Sequence, residues 1–225
     1  VLERVDFTSA RRRTASNLER SVRESVHTLT STVVDYSAIE RARGTATGRP
    51  TALSFVAFAV CRTLRRFPRL NASVERTGPN ERLVVWKPIN LGIAVDAEHE
   101  GLFVPVIHDA EALTVPELAQ AIRSVAHAVR SHEIAPDGLA RGTFTITNAG
   151  VFGTNVTTPI INPGQVAILS TDGVSMKPAA VPDGDGWAVG IRPLGNLSLS
   201  FDHRAIDGSY ASAFLSDLRD EMESI

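Results

Sequence analysis

The sequence feature that most constrains the fold is a stretch, residues 52–67, whose apolar side chains cover nearly the whole circumference of a helix. A helix that is apolar on all sides is stable in water only when other elements cover it. Pro68 ends this helix, because proline cannot continue the hydrogen-bond pattern of a helix interior. We therefore predict a core helix with the rest of the chain folded around it. Its apolar positions are Leu53, Phe55, Val56, Phe58, Val60 and Leu64.

Length and cysteine content indicate a globular domain that needs no cross-links. A chain of 225 residues buries roughly 70% of the surface that its unfolded form exposes, which is enough for a substantial core. Cys61 is the only cysteine, which excludes an intramolecular disulfide and the usual zinc spacings. No third ligand accompanies His99 or His108 at metal spacing. We expect a cytoplasmic protein that binds no metal.

The charge balance and the hydropathy of the sequence each argue against one class of partner. The 23 Lys and Arg residues nearly cancel the 25 Asp and Glu residues, giving a net charge of −2. A protein that binds nucleic acid carries a surplus of basic charge on one face. No apolar stretch is long enough to span a membrane, and the first residues lack the pattern of a signal peptide. We expect neither nucleic acid nor a membrane as a partner.

Hydrophobic periodicity and turn residues predict one mixed α+β domain over residues 1–225. Thr8 caps a first helix, and Thr114 with Glu117 forms a capping box for a later helix that reaches His132. Helices are predicted at 9–25, 37–44, 52–67, 115–132 and 209–222. Strands are predicted at 28–36, 82–86, 89–96, 102–107, 143–147, 166–170, 174–176, 187–192 and 194–201.

The strongest chemical signal lies between the last predicted strand and the last helix, in Phe201-Asp202-His203-Arg204-Ala205-Ile206-Asp207-Gly208. A histidine on such a rigid mount can act as a general base, because its usual pKa of about 6.5 lets it accept a proton near neutral pH. Asp207 follows four residues later, where its carboxylate can hold a loop or pair with an arginine. The same residues fit a salt-bridged turn in which Arg204 pairs with Asp202 or Asp207. The spacing alone leaves both interpretations open.

A second signal is an alternating apolar and polar stretch, residues 142–147, that runs into a glycine-bounded loop. It places the hydroxyl of Thr147 and the amide of Asn148 at a strand end, where hydroxyl donors can stabilise a developing oxyanion. An edge strand followed by a turn is the alternative, since threonine is a good strand former. Gly150 and Gly153 do not form a nucleotide-binding fingerprint, because the third glycine and the following helix are missing.

Together these blocks resemble, in their order and over essentially the whole chain, the catalytic domain of dihydrolipoamide acyltransferases, the core subunits of the 2-oxo acid dehydrogenase complexes. Several spaced motifs in the right order are far more specific than any one of them. The resemblance is carried by Arg11-Arg12-Arg13-Thr14-Ala15, Leu53-Ser54-Phe55, residues 67–73, 90–96 and 101–107, the Thr147 block, Ile160-Ile161-Asn162-Pro163 and the His203 block.

The resemblance implies a mixed sheet flanked by helices, like that of chloramphenicol acetyltransferase, assembled as a homotrimer with active sites at the subunit interfaces. His203 of one subunit would be the base, and Thr147 of its neighbour would donate to the oxyanion. The thiols of coenzyme A and of a dihydrolipoyl group on a swinging domain would enter from opposite ends. The acyl group would pass directly between the two sulfurs.

The resemblance also implies supporting residues and partners. Asp207 would orient the site and pair with Arg11, and Asp202 would support it. Expected partners are a lipoyl domain, the 2-oxo acid decarboxylase/dehydrogenase component, dihydrolipoamide dehydrogenase and further copies of the chain, in a trimer or a larger cubic or dodecahedral assembly. The residues expected to bind substrate or coenzyme A are Asn148, Gly150 and Arg204.

Three departures from the family pattern carry expectations of their own. Val26-His27 stands where the family usually has proline and histidine, which leaves the entry to the first strand open. The chain stops at residues 221–225 without the family's apolar tail, so we expect a trimer or a truncated chain. Lys87 and Lys177 both precede proline and lie outside a lipoyl-hairpin context. We therefore expect a catalytic core without lipoyl and peripheral-subunit-binding domains.

Two other functions are compatible with the sequence. A noncatalytic core scaffold would keep the fold, but such relatives typically lose the histidine, whereas His203, Asp207 and Thr147 are all present. A stand-alone acyltransferase acting on a small hydroxyl acceptor would use the same His-x-x-x-Asp-Gly pattern. The acyl group stays open among acetyl, succinyl and branched-chain groups, because the Thr147 block is similar to succinyl-transferring members and Phe201 to branched-chain ones.

Overall fold

The structure is a computed structural model that describes residues 2–48, 50–78, 80–97 and 101–225. His99 lies outside the described residues. The helices are α1 Ser9–Glu24, α2 Ser37–Thr45, α3 Ala52–Arg66, α4 Val115–Arg130 and α5 Gly208–Glu223. The strands are β1 His27–Asp35, β2 Ala72–Thr77, β3 Asn80–Val85, β4 Leu91–Ile93, β5 Val95–Asp96, β6 Leu102–Phe103, β7 Val106–Ile107, β8 Phe144–Asn148, β9 Ala167–Thr171, β10 Ser175–Asp183 and β11 Gly186–Asp202.

Seven strands form the main sheet, in the order β1-β11-β9-β8-β4-β7, and β10 pairs with the outer half of β11. β8 runs parallel to both β4 and β9, whereas the other pairs are antiparallel. The predicted mixed sheet of an α+β domain is confirmed. Two short ribbons, β2-β3 and β5-β6, lie apart from this sheet.

One face of the sheet is apolar and packs against the helices. Leu197, Leu199 and Phe201 alternate with polar residues along β11 and are fully buried. The ring of Phe144 on β8 lies 6.2 Å from that of Phe214 on α5. The α3 helix contacts both α4 and α5, and most of its residues are buried, which confirms the core helix expected from its all-round apolar sequence.

The other face of the sheet is polar, and residues 154–165 cover it. Ser198 and Ser200 of β11 point to this face and are nonetheless fully buried. The covering segment is attached by side-chain hydrogen bonds: Thr157 donates to Asp172, which follows β9, and the Asn162 amide donates to Thr145 of β8. A long connection thus crosses the sheet between the two predicted site regions.

Several predicted boundaries are wrong. The two strands predicted at 187–192 and 194–201 are one continuous strand, β11, and β2 is absent from the prediction. The α4 helix ends at Arg130, so His132 lies beyond it with a φ of 57°. The predicted strand 89–96 divides after Ile93, where the Ala94 N–H donates to Ile146 O and the chain leaves the sheet to form the β5-β6 ribbon. None of the helices in the described ranges has both the length and the apolar character needed to cross a membrane.

Candidate active site

The turn between β11 and α5 carries the predicted base on a rigid mount. The Asp202 carboxylate accepts hydrogen bonds from the N–H groups of Val26 and Arg204, both at 3.1 Å, and from the Arg204 guanidinium at 2.6 Å. The His203 N–H donates to Val26 O at 2.9 Å. The salt-bridged turn therefore forms between Asp202 and Arg204, and the backbone of His203 is held at its centre.

The Asp202 carboxyl is the most strongly held titratable group of this turn. Its side chain is 2% exposed. Burial alone would raise its pKa, but hydrogen bonds from Arg204 and Val26, together with the charge of Arg204, lower the pKa below its usual range. The second partner of Arg204 is Glu81 of β3, with 3.6 Å between Nη1 and Oε1. The turn thus stays charged and fixed near neutral pH.

The His203 imidazole itself is exposed and open to a substrate. Its ring centroid lies 5.5 Å from that of Phe201, and it forms no hydrogen bond with any described residue. Asp207 is the N-cap residue of α5. Its backbone is extended, its carboxylate forms no capping hydrogen bond, and the residue is exposed. Neither side chain has a fixed polar partner within the described part of this chain, so both are available to groups from outside it.

The entry to β1, which the sequence left open, is tied to the same region. His27 Nε2 accepts from the Ile161 N–H at 3.1 Å, and its Nδ1 lies 3.3 Å from Ser25 O. These contacts fit a neutral imidazole with its proton on Nδ1. Val26 contributes the N–H bonded to Asp202, a group that proline would lack. The Val26-His27 pair therefore joins β1 both to the His203 turn and to the covering segment.

The second predicted region lies at the end of β8. Thr147 pairs with Ser170 of β9 and is half-buried. Asn148 Oδ1 accepts from the Gly150 N–H at 3.0 Å. The next side chains along the chain, Val151 and Phe152, are both 74% exposed. This end of the sheet therefore offers a hydroxyl beside exposed apolar groups.

Within one chain these two regions are far apart. Thr147 lies opposite Ser170, and Ser170 lies opposite Ser198, so His203 is five positions further along β11 and two strands away. A rise of about 3.3 Å per residue and a strand spacing of about 4.8 Å separate the two backbones by roughly 20 Å. A base and an oxyanion donor at that distance cannot act on the same carbonyl.

The remaining candidates are placed as follows. Arg11 is exposed near the start of α1 and forms no ion pair with Asp207 within the described ranges. Cys61 is buried in α3, and burial raises the pKa of its thiol to about 12, so it stays protonated at neutral pH. The described residues bring together no group of three histidine, cysteine or acidic side chains that could hold a metal ion.

Sequence reasoning missed Asp172, which organises the second region, and it assigned no contacts to His27. Asp172 follows β9 and is 3% exposed, with four hydrogen-bond donors around its carboxylate. The available signal was an acidic residue directly after an apolar strand, in Thr171-Asp172-Gly173. That pattern is also typical of an ordinary exposed turn, so only the structure reveals the burial.

The family described as 2-oxoacid dehydrogenases acyltransferase (catalytic domain) matches residues 2–225. The dihydrolipoyllysine-residue acetyltransferase component of the pyruvate dehydrogenase complex from Mycobacterium tuberculosis is 41% identical over 174 residues, which are 77% of this chain and 31% of that protein. The lipoamide acyltransferase component of the branched-chain alpha-keto acid dehydrogenase complex from Bacillus subtilis is 33% identical over 98% of this chain and 52% of its own. The chain thus spans about a third to about half of these curated relatives.

Solved structures show the same fold over nearly the whole chain. The dihydrolipoamide acetyltransferase of Azotobacter vinelandii superposes with a TM-score of 0.91 and 31% identity, covering 99% of this chain and 92% of that one. In that enzyme the catalytic mechanism was investigated at a serine, a histidine and an asparagine four residues after the histidine. A chloramphenicol acetyltransferase, with a TM-score of 0.52 and 15% identity over 87% of this chain and 85% of that one, shares the fold alone.

Proposed function

This chain belongs to the 2-oxoacid dehydrogenase acyltransferase family, and from that premise we propose that it transfers an acyl group between a dihydrolipoyl thiol and coenzyme A. The observation that carries the proposal is the exposed His203 imidazole on a turn fixed by Asp202 and Arg204. A scaffold without activity has no need of such a mount for a histidine. The lipoyl group is a substrate here, delivered by a separate domain.

The chemistry follows from the two site regions. A thiol with a pKa of about 8.5 is mostly protonated at neutral pH, so attack on a thioester needs a base. His203 takes the proton as the sulfur bonds to the carbonyl carbon, and the carbonyl oxygen becomes an oxyanion that the Thr147 hydroxyl stabilises. Collapse of this tetrahedral intermediate breaks the other carbon–sulfur bond. The departing sulfur takes the proton back from His203, so protons and electrons balance.

Asp207 is proposed to orient the site, with Arg11 as its partner. Two observations support this role: the exposed carboxylate at the start of α5, and its position four residues after His203. The investigated asparagine of the Azotobacter enzyme has the same spacing from its histidine. Asn148, Gly150 and Arg204, which lie in the two site regions, are proposed to bind substrate or coenzyme A.

We further propose that the site is assembled between subunits of a homotrimer. The roughly 20 Å between His203 and Thr147 in one chain supports a shared site, because only a second chain can bring the two together. An exposed apolar face on the β10-β11 hairpin also supports subunit contact, since such patches mark interfaces. Its exposed side chains are Met176, Trp187, Val189 and Ile191. The decarboxylase/dehydrogenase component and dihydrolipoamide dehydrogenase are the proposed further partners.

The test is acyl transfer between dihydrolipoamide and coenzyme A with acetyl, succinyl and isobutyryl thioesters, measured on the native chain, His203→Ala and the control His127→Ala. His127 is an exposed histidine on α4, outside both site regions. We expect the native chain to use one thioester best and His203→Ala to lose on the order of 100-fold to 10,000-fold in rate, with the control unaffected. A native chain that turns over none of the three, or a fully active His203→Ala, would contradict the proposal.

A further inference from the structure

Asp172 is a buried carboxylate that no step of the proposed reaction uses. Its Oδ1 accepts from the hydroxyls of Thr154 at 3.1 Å and Thr157 at 2.6 Å. Its Oδ2 accepts from the Thr157 N–H at 3.3 Å and the Ser198 hydroxyl at 3.0 Å. These donors come from the covering segment and from β11, so one carboxylate joins both to the end of β9.

The surroundings of Asp172 indicate a specific arrangement rather than a chance contact. Within the described ranges no lysine, arginine or histidine pairs with this carboxylate, which relies on three hydroxyls and one N–H. A buried carboxylate is costly unless donors satisfy its oxygens. Any shift of Thr154 or Thr157 away from β9 would remove hydrogen bonds from this buried carboxylate, so the segment is held in one position.

The held segment is the direct continuation of β8. We define the anchored loop as residues 149–157. Its Thr154 hydroxyl shares its proton between Asp172 and Ala149 O, both at 3.1 Å, and Thr154 O accepts from the Gly173 N–H at 2.7 Å. Gly150 packs so closely that a Cβ there would lie 2.7 Å from Asp172 O. The Asp172 residue therefore fixes the loop at both its first and its later residues.

We propose that Asp172 is a positioning residue that sets, through the anchored loop, the orientation of Thr147 and Asn148 at the end of β8. This inference rests on the proposed function, in which the Thr147 hydroxyl donates to an oxyanion. Such a donor acts only when its oxygen lies at the developing charge, about 2.7–3.1 Å away, so a small displacement lowers the rate of the chemical step. Asn148 and Gly150 are proposed to bind substrate or coenzyme A, so we expect a smaller rise in KM beside the loss in kcat.

The test compares kcat and KM for coenzyme A in Asp172→Asn, Thr157→Val, Thr157→Ser and the control Asp137→Asn, whose residue is exposed in the short helix Pro136–Leu139 between α4 and β8. Asp172→Asn replaces one acceptor oxygen by a donor, and Thr157→Val removes one hydroxyl at nearly constant volume. We expect both to lower kcat on the order of 10-fold, with a smaller rise in KM. Thr157→Ser keeps the hydroxyl and is expected to keep kcat, as is the control.

A second measurement separates positioning from general destabilisation. Each substitution is repeated in a Thr147→Val background, where no hydroxyl is left to position. A residue that acts through Thr147 then has no further effect on kcat. An equal loss in both backgrounds, or kcat unchanged in a native background while the melting temperature falls, overturns the positioning role. If Asp172→Asn does not fold, Thr157→Val tests the positioning role in its place. A native chain without acyl transfer overturns the proposed function as well.

Discussion

At the scale of single residues, the turn after β11 shows what residue spacing can and cannot predict. The residues Asp202, His203 and Arg204 were identifiable as a group, and the structure contains the predicted salt bridge beside an exposed histidine. The role of that histidine as a base stays a prediction. The contribution of Val26 was not predictable, because a backbone N–H carries no signature of its partner in the sequence. Whether Arg204 pairs with Asp202 or Asp207 depends on the backbone conformation of the turn, which the sequence pattern does not determine.

The lowered pKa of Asp202 predicts an acid-dependent loss of stability. The ionised carboxylate stabilises the folded state at pH values above the unfolded pKa of about 3.9, and this contribution is lost as the pH falls through the lower folded pKa. Asp202→Asn removes that titration and leaves Arg204 without its buried partner. We expect this substitution to lower the free energy of unfolding by on the order of 2 kcal/mol at pH 7. The difference in unfolding free energy from the native chain is expected to shrink below pH about 4.

Urea unfolding between pH 7 and pH 3, at fixed protein concentration, measures this difference. Asp137→Asn, in the exposed turn between α4 and β8, is the matched control and is expected to follow the native curve. A stability difference between Asp202→Asn and the native chain that stays constant down to pH 3 would show that the ionised carboxylate is not what stabilises the turn.

At the scale of secondary structure elements, long periodic segments were predictable and short or interrupted ones were not. The α3 helix follows from its apolar residues, and α4 begins at its predicted capping box. The β11 strand was divided in the prediction because Pro193 and Gly195 usually interrupt a strand. In the structure Pro193 pairs with Met176 of β10 and its carbonyl accepts from the Tyr36 N–H, so the strand continues.

The close approach of the anchored loop to β9 makes a prediction at this scale. Gly150→Ala would place a Cβ 2.7 Å from the carbonyl oxygen of Asp172 and 2.8 Å from its carbonyl carbon, which are backbone atoms that cannot rotate away. We expect a loss of about 1–3 kcal/mol in stability together with a lower kcat, measured by thermal unfolding and acyl transfer. Gly44→Ala is the control, because nothing lies within 4 Å of its new Cβ. A native melting temperature for Gly150→Ala would mean that the loop is free to move.

At the scale of the whole molecule, the sequence predicted the two site regions but could not show their separation by itself. The distance between residues 147 and 203 depends on strand order and register. The order β11-β9-β8 places them at opposite ends of two strands that are separated by β9. Expectation of a shared site came from the family resemblance. The register now supplies an independent physical reason for it, since roughly 20 Å within one chain excludes joint action on one carbonyl.

A shared site predicts that two inactive variants restore each other. His203→Ala chains keep the Thr147 hydroxyl, and Thr147→Val chains keep the base. In a cyclic trimer that contains both kinds of chain, one interface in three carries both native residues. We therefore expect about a third of the native acyl-transfer rate in mixed trimers isolated through two affinity tags. Co-expression of His203→Ala with a chain carrying both substitutions is the control and should restore nothing. Mixed trimers no more active than their parents would place both residues' action within a single chain, against the geometry of the sheet.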